Sequence, residues 1–260
     1  MDFKNILIEK RSPLAVVTLN RPEVRNALNG ETLSELGTAF NELGADSKTR
    51  VILLTGAGGR AFAAGADIRE LASLTAEEAQ RFALRGQGIF RAIEQLGKPV
   101  IACIQGFALG GGCELAMSCT LRIAADDARL GQPEVKLGIM AGYGGSQRLP
   151  RLVGRGAALK LLLTGSIIDA QEALRIGLVD EVVPAAQLVE RAESLAREIA
   201  ANAPLAITET LRAVDEGLGL ALDEGLKREA TRFGQLCSTS DKAKGTEAFL
   251  AKRAPVWKGQ

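Results

Sequence analysis

Histidine is absent from this chain of 260 residues. That excludes Ser-His-Asp and Cys-His catalysis and every Cys/His metal centre, so acid–base chemistry must come from carboxylates, lysine, tyrosine or water. Cysteine is scarce as well. Cys103, Cys113, Cys119 and Cys237 lie among apolar or small residues with no CxxC spacing, and they read as reduced core thiols with no metal to hold. Neither sign of charge dominates: 32 Lys+Arg stand against 31 Asp+Glu, for a net charge of +1. Nothing in that balance recruits nucleic acid or a membrane surface, so any anionic partner must be bound locally. No stretch reaches the roughly 18 consecutive apolar residues of a membrane span. The start, Met1-Asp2-Phe3-Lys4-Asn5, lacks the apolar stretch of a secretion signal, and a cytoplasmic location is expected.

Material for a core is plentiful. Hydrophobic residues make up 47% of the chain and charged residues 24%, ordinary values for a globular protein, and one α/β domain accommodates this length. The chain is organised around the run Gly106-Phe107-Ala108-Leu109-Gly110-Gly111-Gly112-Cys113-Glu114-Leu115-Ala116 and its partner Gly131-Gln132-Pro133-Glu134. The apolar segment Pro99 to Ile104 feeds this triple glycine, which reads as strand, tight turn and helix N-terminus. The first N–H groups of a helix lack intrahelical partners, and glycines let another molecule approach them. Such a site stabilises an anion. Glu114 just inside the helix, and Glu134 at the start of a short helix after Pro133, flank it with two proton carriers.

Around this centre the pattern is β/α. Ile6-Leu7-Ile8 and Ala15 to Leu19 read as a hairpin turning at Lys10 to Pro13, and Asn29 or Thr32 caps a helix with Leu33, Leu36, Phe40 and Leu43 on one face. Val51 to Thr55 has the all-apolar character of a buried parallel strand. Gly56 to Ala61 superficially resembles a dinucleotide-binding turn, but no helical period follows it directly and no acidic residue closes a second strand. The small-residue loop Ala61 to Ile68 instead offers a second place where backbone can approach a ligand. A helix through Ala79, Phe82, Phe90, Ile93 and Leu96 leads back to the central strand, and Leu121 to Ala125 is a further strand. Beyond it helices are expected at about 144–153, 155–163, 169–176, 185–202, 204–217, 219–237 and 241–251, with a strand near 178–183. Leu222, Leu226, Ala230, Phe233 and Leu236 form a stripe suited to the core or to another subunit.

Four segments together, Ala64-Gly65-Ala66-Asp67-Ile68, Gly106 to Ala116, Gln132-Pro133-Glu134 and Gly142-Tyr143-Gly144-Gly145-Ser146-Gln147-Arg148-Leu149, resemble the enoyl-CoA hydratase (crotonase) family. The similarity runs from about Leu7 to Trp257 and is closest to bacterial-type enoyl-CoA hydratases. It implies an α/β spiral of ββα units in residues 1–195 and a C-terminal helical trimerisation subdomain in 196–260, packed on the core and on neighbouring subunits. It implies reversible hydration of trans-2-enoyl-CoA to 3-hydroxyacyl-CoA, as in fatty-acid β-oxidation. Coenzyme A is then part of the substrate, with no tightly bound cofactor, and the protein is a trimer or a dimer of trimers. Residue by residue, it implies catalysis by Glu114 and Glu134 and an oxyanion hole of the Ala66 and Gly111 N–H groups. Substrate contacts fall on Arg25, Ala27, Leu28, Ala64, Asp67, Ile68, Arg69, Pro133 and Gly142, with Phe233 and Lys252 reaching a neighbour's CoA. Two positions depart from the family pattern. Thr120 stands where Asp is usual, which bears on local support of the site, and Ala141-Gly142-Tyr143 replaces Pro-Gly-small, which bears on the acyl pocket. An isomerase or a non-catalytic CoA- or RNA-binding relative is the alternative; two retained glutamates favour hydration.

Overall fold

The structure, a computed structural model, describes residues 3–260. It opens on the expected hairpin: β1 (Ile6–Arg11) runs antiparallel to β2 (Leu14–Leu19), with Ile6 opposite Leu19 and Arg11 opposite Leu14. Helix α1 (Gly30–Ala45) starts at Asn29, whose Oδ1 accepts the Thr32 N–H at 2.8 Å, so Asn29 is the cap and Thr32 its donor. Strand β3 (Val51–Gly56) then leads to the three-residue β4 (Ala61–Ala63), the single turn α2 (Ile68–Leu71) and α3 (Ala76–Glu94). A reciprocal pair of bonds between Thr75 and Glu78 begins α3. The pattern of two strands and a helix repeats in β5 (Val100–Ile104), β6 (Phe107–Leu109) and α4 (Gly111–Met117). It recurs in β7 (Leu121–Ala125), β8 (Arg129–Gly131) and a 3-10 turn over Glu134–Leu137.

These pairs divide between two sheets, which makes the spiral. The larger sheet has the order β1-β2-β3-β5-β7 and ends on β10 (Glu181–Val183), parallel throughout except for the β1–β2 hairpin. The smaller one has the order β4-β6-β8 and closes antiparallel on β9 (Ile167–Asp169). Each of β3, β5 and β7 is thus followed by a short strand in the other layer, and the glycine-rich connections emerge between the sheets. Helix α5 (Gly145–Thr164) breaks at Gly154, whose φ of 77° separates the two helical pieces expected there. The short α6 (Ala170–Arg175) follows β9.

Both faces of the larger sheet are covered. On one side Leu33, Leu36, Phe40 and Leu43 of α1 and Phe90 and Ile93 of α3 join Val17, Ile52 and Ala102 in the main core. On the other, α7 (Leu188–Ala200) lays Leu188, Ala192, Ala196 and Ala200, one turn apart, against Leu53, Ile101 and Ile123. The division expected between residues 195 and 196 falls inside this helix. Helices α8 (Pro204–Gly217), α9 (Leu222–Cys237) and α10 (Ser240–Leu250) stand outside the sheets. The chain end is tied back to them, with buried Asp241 accepting the Lys258 and Gly259 N–H groups at 2.7 and 2.8 Å.

The structure corrects several expectations. Strands β4, β6, β8 and β9 have three residues each, too few to display an alternation, and the run after Gly106 contains β6 where turn alone was expected. Of the two alternatives open for the α9 stripe, the structure does not bury it in this chain's core: Leu222 is 77% and Phe233 69% exposed. Cys237 is exposed, unlike the three buried thiols. Thr120 anchors a strand: its Oγ1 accepts the Val100 N–H at 3.0 Å.

Two glycines of α3 separate packing from propensity. A Cβ on Gly86 would sit 2.2 Å from Cδ1 of Tyr143, whereas one on Gly88 would meet nothing within 4 Å. Gly86→Ala should therefore destabilise the protein by about 1–3 kcal/mol through overpacking. Gly88→Ala should stabilise it by about 0.5–1 kcal/mol through reduced chain entropy. Urea unfolding measures both, and shifts of the same sign would contradict this packing.

Candidate active site

The close approach of α4 to the smaller sheet builds the site. A Cβ on Gly112 would lie 2.0 Å from the Ala63 carbonyl oxygen, so only glycine lets the helix start there. Gly110 has φ 49° and ψ −123°, and its N–H donates to Gly131 O at 2.9 Å, which ties the α4 N-terminus to the strand leading to Glu134. The same position would place a Cβ 2.8 Å from Glu134 Oε1. Glycine here is demanded twice, by backbone conformation and by the carboxylate above it. The small-residue loop after β4 is held in turn by the chain before α1. Ala64 N–H donates to Arg25 O at 3.0 Å, Leu28 N–H to Gly65 O at 2.8 Å and Asp67 N–H to Leu28 O at 2.9 Å.

Between these loops lies a cavity of about 380 Å³. Glu114, Glu134, Ala66, Gly111, Ala64, Ile68, Pro133 and Gly142, all expected at the site, line it. Gly111 begins α4, so its N–H has no carbonyl to bond within the helix. Ala66 N lies 3.3 Å from the point where a Gly111 Cβ would stand, and its N–H donates to no acceptor among the described residues. Two residues whose backbone N–H groups have no acceptor among the described residues thus line the cavity side by side.

Glu114 is 1% exposed. Its Oε1 accepts the Tyr143 N–H at 2.8 Å and the Gly145 N–H at 2.6 Å, which leaves Oε2 for the cavity. Burial pushes its carboxyl up to about 7, the Glu134 charge adds to the rise, and the two N–H bonds with the Arg148 charge oppose it. Arg148 also holds the loop that carries those donors, reaching Tyr143 O at 2.7 Å while pairing with Glu94. Glu134 differs in having neither carboxylate oxygen bonded to any group among the described residues. Burial raises its carboxyl too. The site therefore holds one anchored and one unanchored carboxyl, both inclined to keep a proton.

Other expected contacts lie apart from the cavity wall. Arg25, on the chain before α1, and Arg69, on α2, are exposed beside it, and the Arg25 guanidinium sits 5.6 Å over the Phe107 ring. Ala27 and Leu28 belong to the chain stitched to Ala64–Asp67, with Leu28 fully buried. The Asp67 carboxylate is already engaged, pairing with Arg21 at 3.1 Å and capping α2. Phe233 and Lys252, on α9 and after α10, are not among the cavity residues. Sequence reasoning missed the grip of Tyr143 and Gly145 on Glu114; its only trace was the Gly142-Tyr143-Gly144-Gly145 run, which exposes successive N–H groups. It also missed the apolar wall of Leu71, Phe82, Leu137 and Met140. No helix among the described residues is long and apolar enough to cross a membrane.

A sequence profile described as enoyl-CoA hydratase/isomerase matches residues 9–260. The chain belongs to the enoyl-CoA hydratase/isomerase family. Within the family it is 47% identical over 253 residues to the short-chain-enoyl-CoA hydratase of Clostridium acetobutylicum, covering 97% of each chain. It is 47% identical, with the same coverage, to the crotonyl-CoA hydratase of Syntrophomonas wolfei. The crystal structure of an enoyl-CoA hydratase from Bacillus anthracis superposes with a TM-score of 0.96 at 41% identity, over 99% of this chain and 100% of that one. The α/β crotonase fold, with its two mixed sheets and helices α8–α10, is thus shared with solved family members.

Burial of Glu114 carries a pH signature. Its carboxyl holds a proton more tightly folded, near 7, than at the ordinary value of 4.5. Below 4.5 both states are protonated and burial carries no charge penalty; as pH rises towards 7 the unfolded chain ionises first and stability falls. Glu114→Gln cannot ionise, so its stability relative to the parent should rise between pH 4.5 and 8, by at most about 3 kcal/mol. Urea midpoints across that range measure it, and a pH-independent difference would contradict the burial argument.

Proposed function

We propose that this protein is a short-chain enoyl-CoA hydratase that adds water reversibly across C2=C3 of a trans-2-enoyl-CoA to give the 3-hydroxyacyl-CoA. The observation that carries this reading is the pair of carboxyls on one cavity, both pushed up by burial, beside two backbone N–H groups with no acceptor among the described residues. The relatives, named as short-chain and crotonyl-CoA hydratases, support the substrate class.

With the thioester carbonyl oxygen against the Ala66 and Gly111 N–H groups, negative charge gathering there in the transition state meets donors already in place. The ionised carboxyl of the pair takes a proton from water as the water oxygen bonds to C3. The protonated carboxyl gives its proton to C2 as the double bond becomes single, and the pair ends the turn with its proton relocated and its total unchanged. Glu134, whose two buried oxygens bond to no group among the described residues, is left to bond the water, while Glu114, held through Oε1, has Oε2 for the same water. The CoA moiety, part of the substrate, lies along the loops of Arg25–Leu28 and Ala64–Arg69; Arg25 and Arg69 meet its phosphates there and Asp67 shapes the loop. Subunits associate as a trimer or a dimer of trimers through α8–α10, bringing Phe233 and Lys252 to a neighbour's CoA. The outward apolar side chains, among them Leu218 at 85% exposure, support that assembly.

Mass spectrometry of crotonyl-CoA incubated with the protein tests the reading: a product heavier by one water supports it, and an unchanged mass refutes it. Glu114→Gln and Glu134→Gln should each lower kcat by roughly 10²-fold or more with little change in KM, and the double variant should cost far less than the product of the singles. A single variant with near-parental turnover would end the two-carboxyl mechanism. Ala66→Gly keeps the backbone donor and should be mild, whereas Ala66→Pro deletes it and should lose roughly 10²–10³ in kcat while circular dichroism stays native. Equal activities would move the oxyanion donor elsewhere in the loop.

A further inference from the structure

We infer that the Tyr143 ring is the stop that limits acyl-chain length, a specificity role separate from the grip of its backbone N–H on Glu114. This inference rests on the hydratase reading and deepens it. The ring is only 3% exposed and lines the cavity. One edge, Cδ2 and Cε2, lies 3.1 Å from the position of a Gly111 Cβ, the point that Ala66 N flanks at 3.3 Å. The ring therefore borders the place where the thioester oxygen is held. Its other edge fills the space that Gly86 leaves open on α3, where a Cβ would be 2.2 Å away. Phe82 and Phe90 hold it from the remaining sides, with ring centroids 5.4 and 5.5 Å distant.

A thioester anchored at Gly111 and Ala66, with C2 and C3 between the two glutamates, must send C4 and later carbons past this ring. The ring stands between Gly111 at the start of α4 and Gly86 on α3, so a short chain fits against it and a longer one collides. Removing it opens a channel between Gly111 and Gly86, walled by Phe82 and Phe90 and continuous with the cavity. The hydroxyl is incidental to this role, since it bonds to no group among the described residues. Loss of the hydroxyl alone should therefore leave length preference unchanged.

The test measures kcat/KM for trans-2-enoyl-CoAs of increasing length in the parent, Tyr143→Phe, Tyr143→Leu and Tyr143→Ala. The readout is the ratio of octenoyl- to crotonyl-CoA within each preparation, which does not depend on the fraction folded and so remains valid if a variant is unstable. The parent should favour crotonyl-CoA. The ratio should rise about tenfold or more in Tyr143→Leu and Tyr143→Ala, the scale set by methylene-sized fit in an apolar pocket, and stay within twofold of the parent in Tyr143→Phe. An unchanged ratio in both smaller variants, with crotonyl-CoA still hydrated, overturns the inference alone. A rise in Tyr143→Phe equal to that in the others also overturns it, because the hydroxyl and not the ring would then set the limit. Failure of the parent to hydrate any chain length overturns the hydratase reading and this inference with it.

Discussion

Two backbone N–H groups, those of Tyr143 and Gly145, hold one oxygen of a carboxyl that is only 1% exposed. Much of the site is arranged around that contact. The two bonds favour the ionised form and burial favours the neutral one, and the balance falls near neutral pH. With burial alone the proton would be held too tightly to be given up; with exposure it would already be gone. Arg148 contributes at second hand, bracing Tyr143 O and pairing with Glu94 so that the donor loop keeps its shape.

The framework that makes this possible is backbone geometry more than side-chain chemistry. Gly110 and Gly112 let α4 begin against β4 and beneath Glu134, and Gly86 lets the Tyr143 ring pack against α3. Each glycine sits where a single methyl group would collide with backbone, a carboxylate or a ring. Such sites are costly in chain entropy, and the cost is offset by the two apolar layers on either face of the larger sheet.

Much of this was legible in the residues. Without histidine, acid–base chemistry had few carriers, and a triple glycine opening on Glu114 with Glu134 close behind pointed to an anion site flanked by carboxyls. Long elements such as α1 and α3 announced themselves by helical periodicity. The three-residue strands did not, because β4, β6, β8 and β9 are defined by their neighbours and not by any pattern of their own. The grip on Glu114 was hidden for a similar reason: an N–H donor carries no residue identity, and only the fold shows where it points. The α9 stripe was ambiguous because a helix facing a core and one facing outward carry the same apolar period, and burial alone separates them.

The central claim is that the cavity holds a shared proton between two carboxyls at neutral pH. Carbon-13 NMR of protein labelled at the glutamate carboxyls, with Glu114 assigned through Glu114→Gln, follows that proton directly. The account predicts that the Glu114 carboxyl titrates near 7 and moves lower in Glu134→Gln, where the neighbouring charge is gone. A Glu114 carboxyl that titrates near the ordinary 4.5 and ignores the change at Glu134 would contradict it.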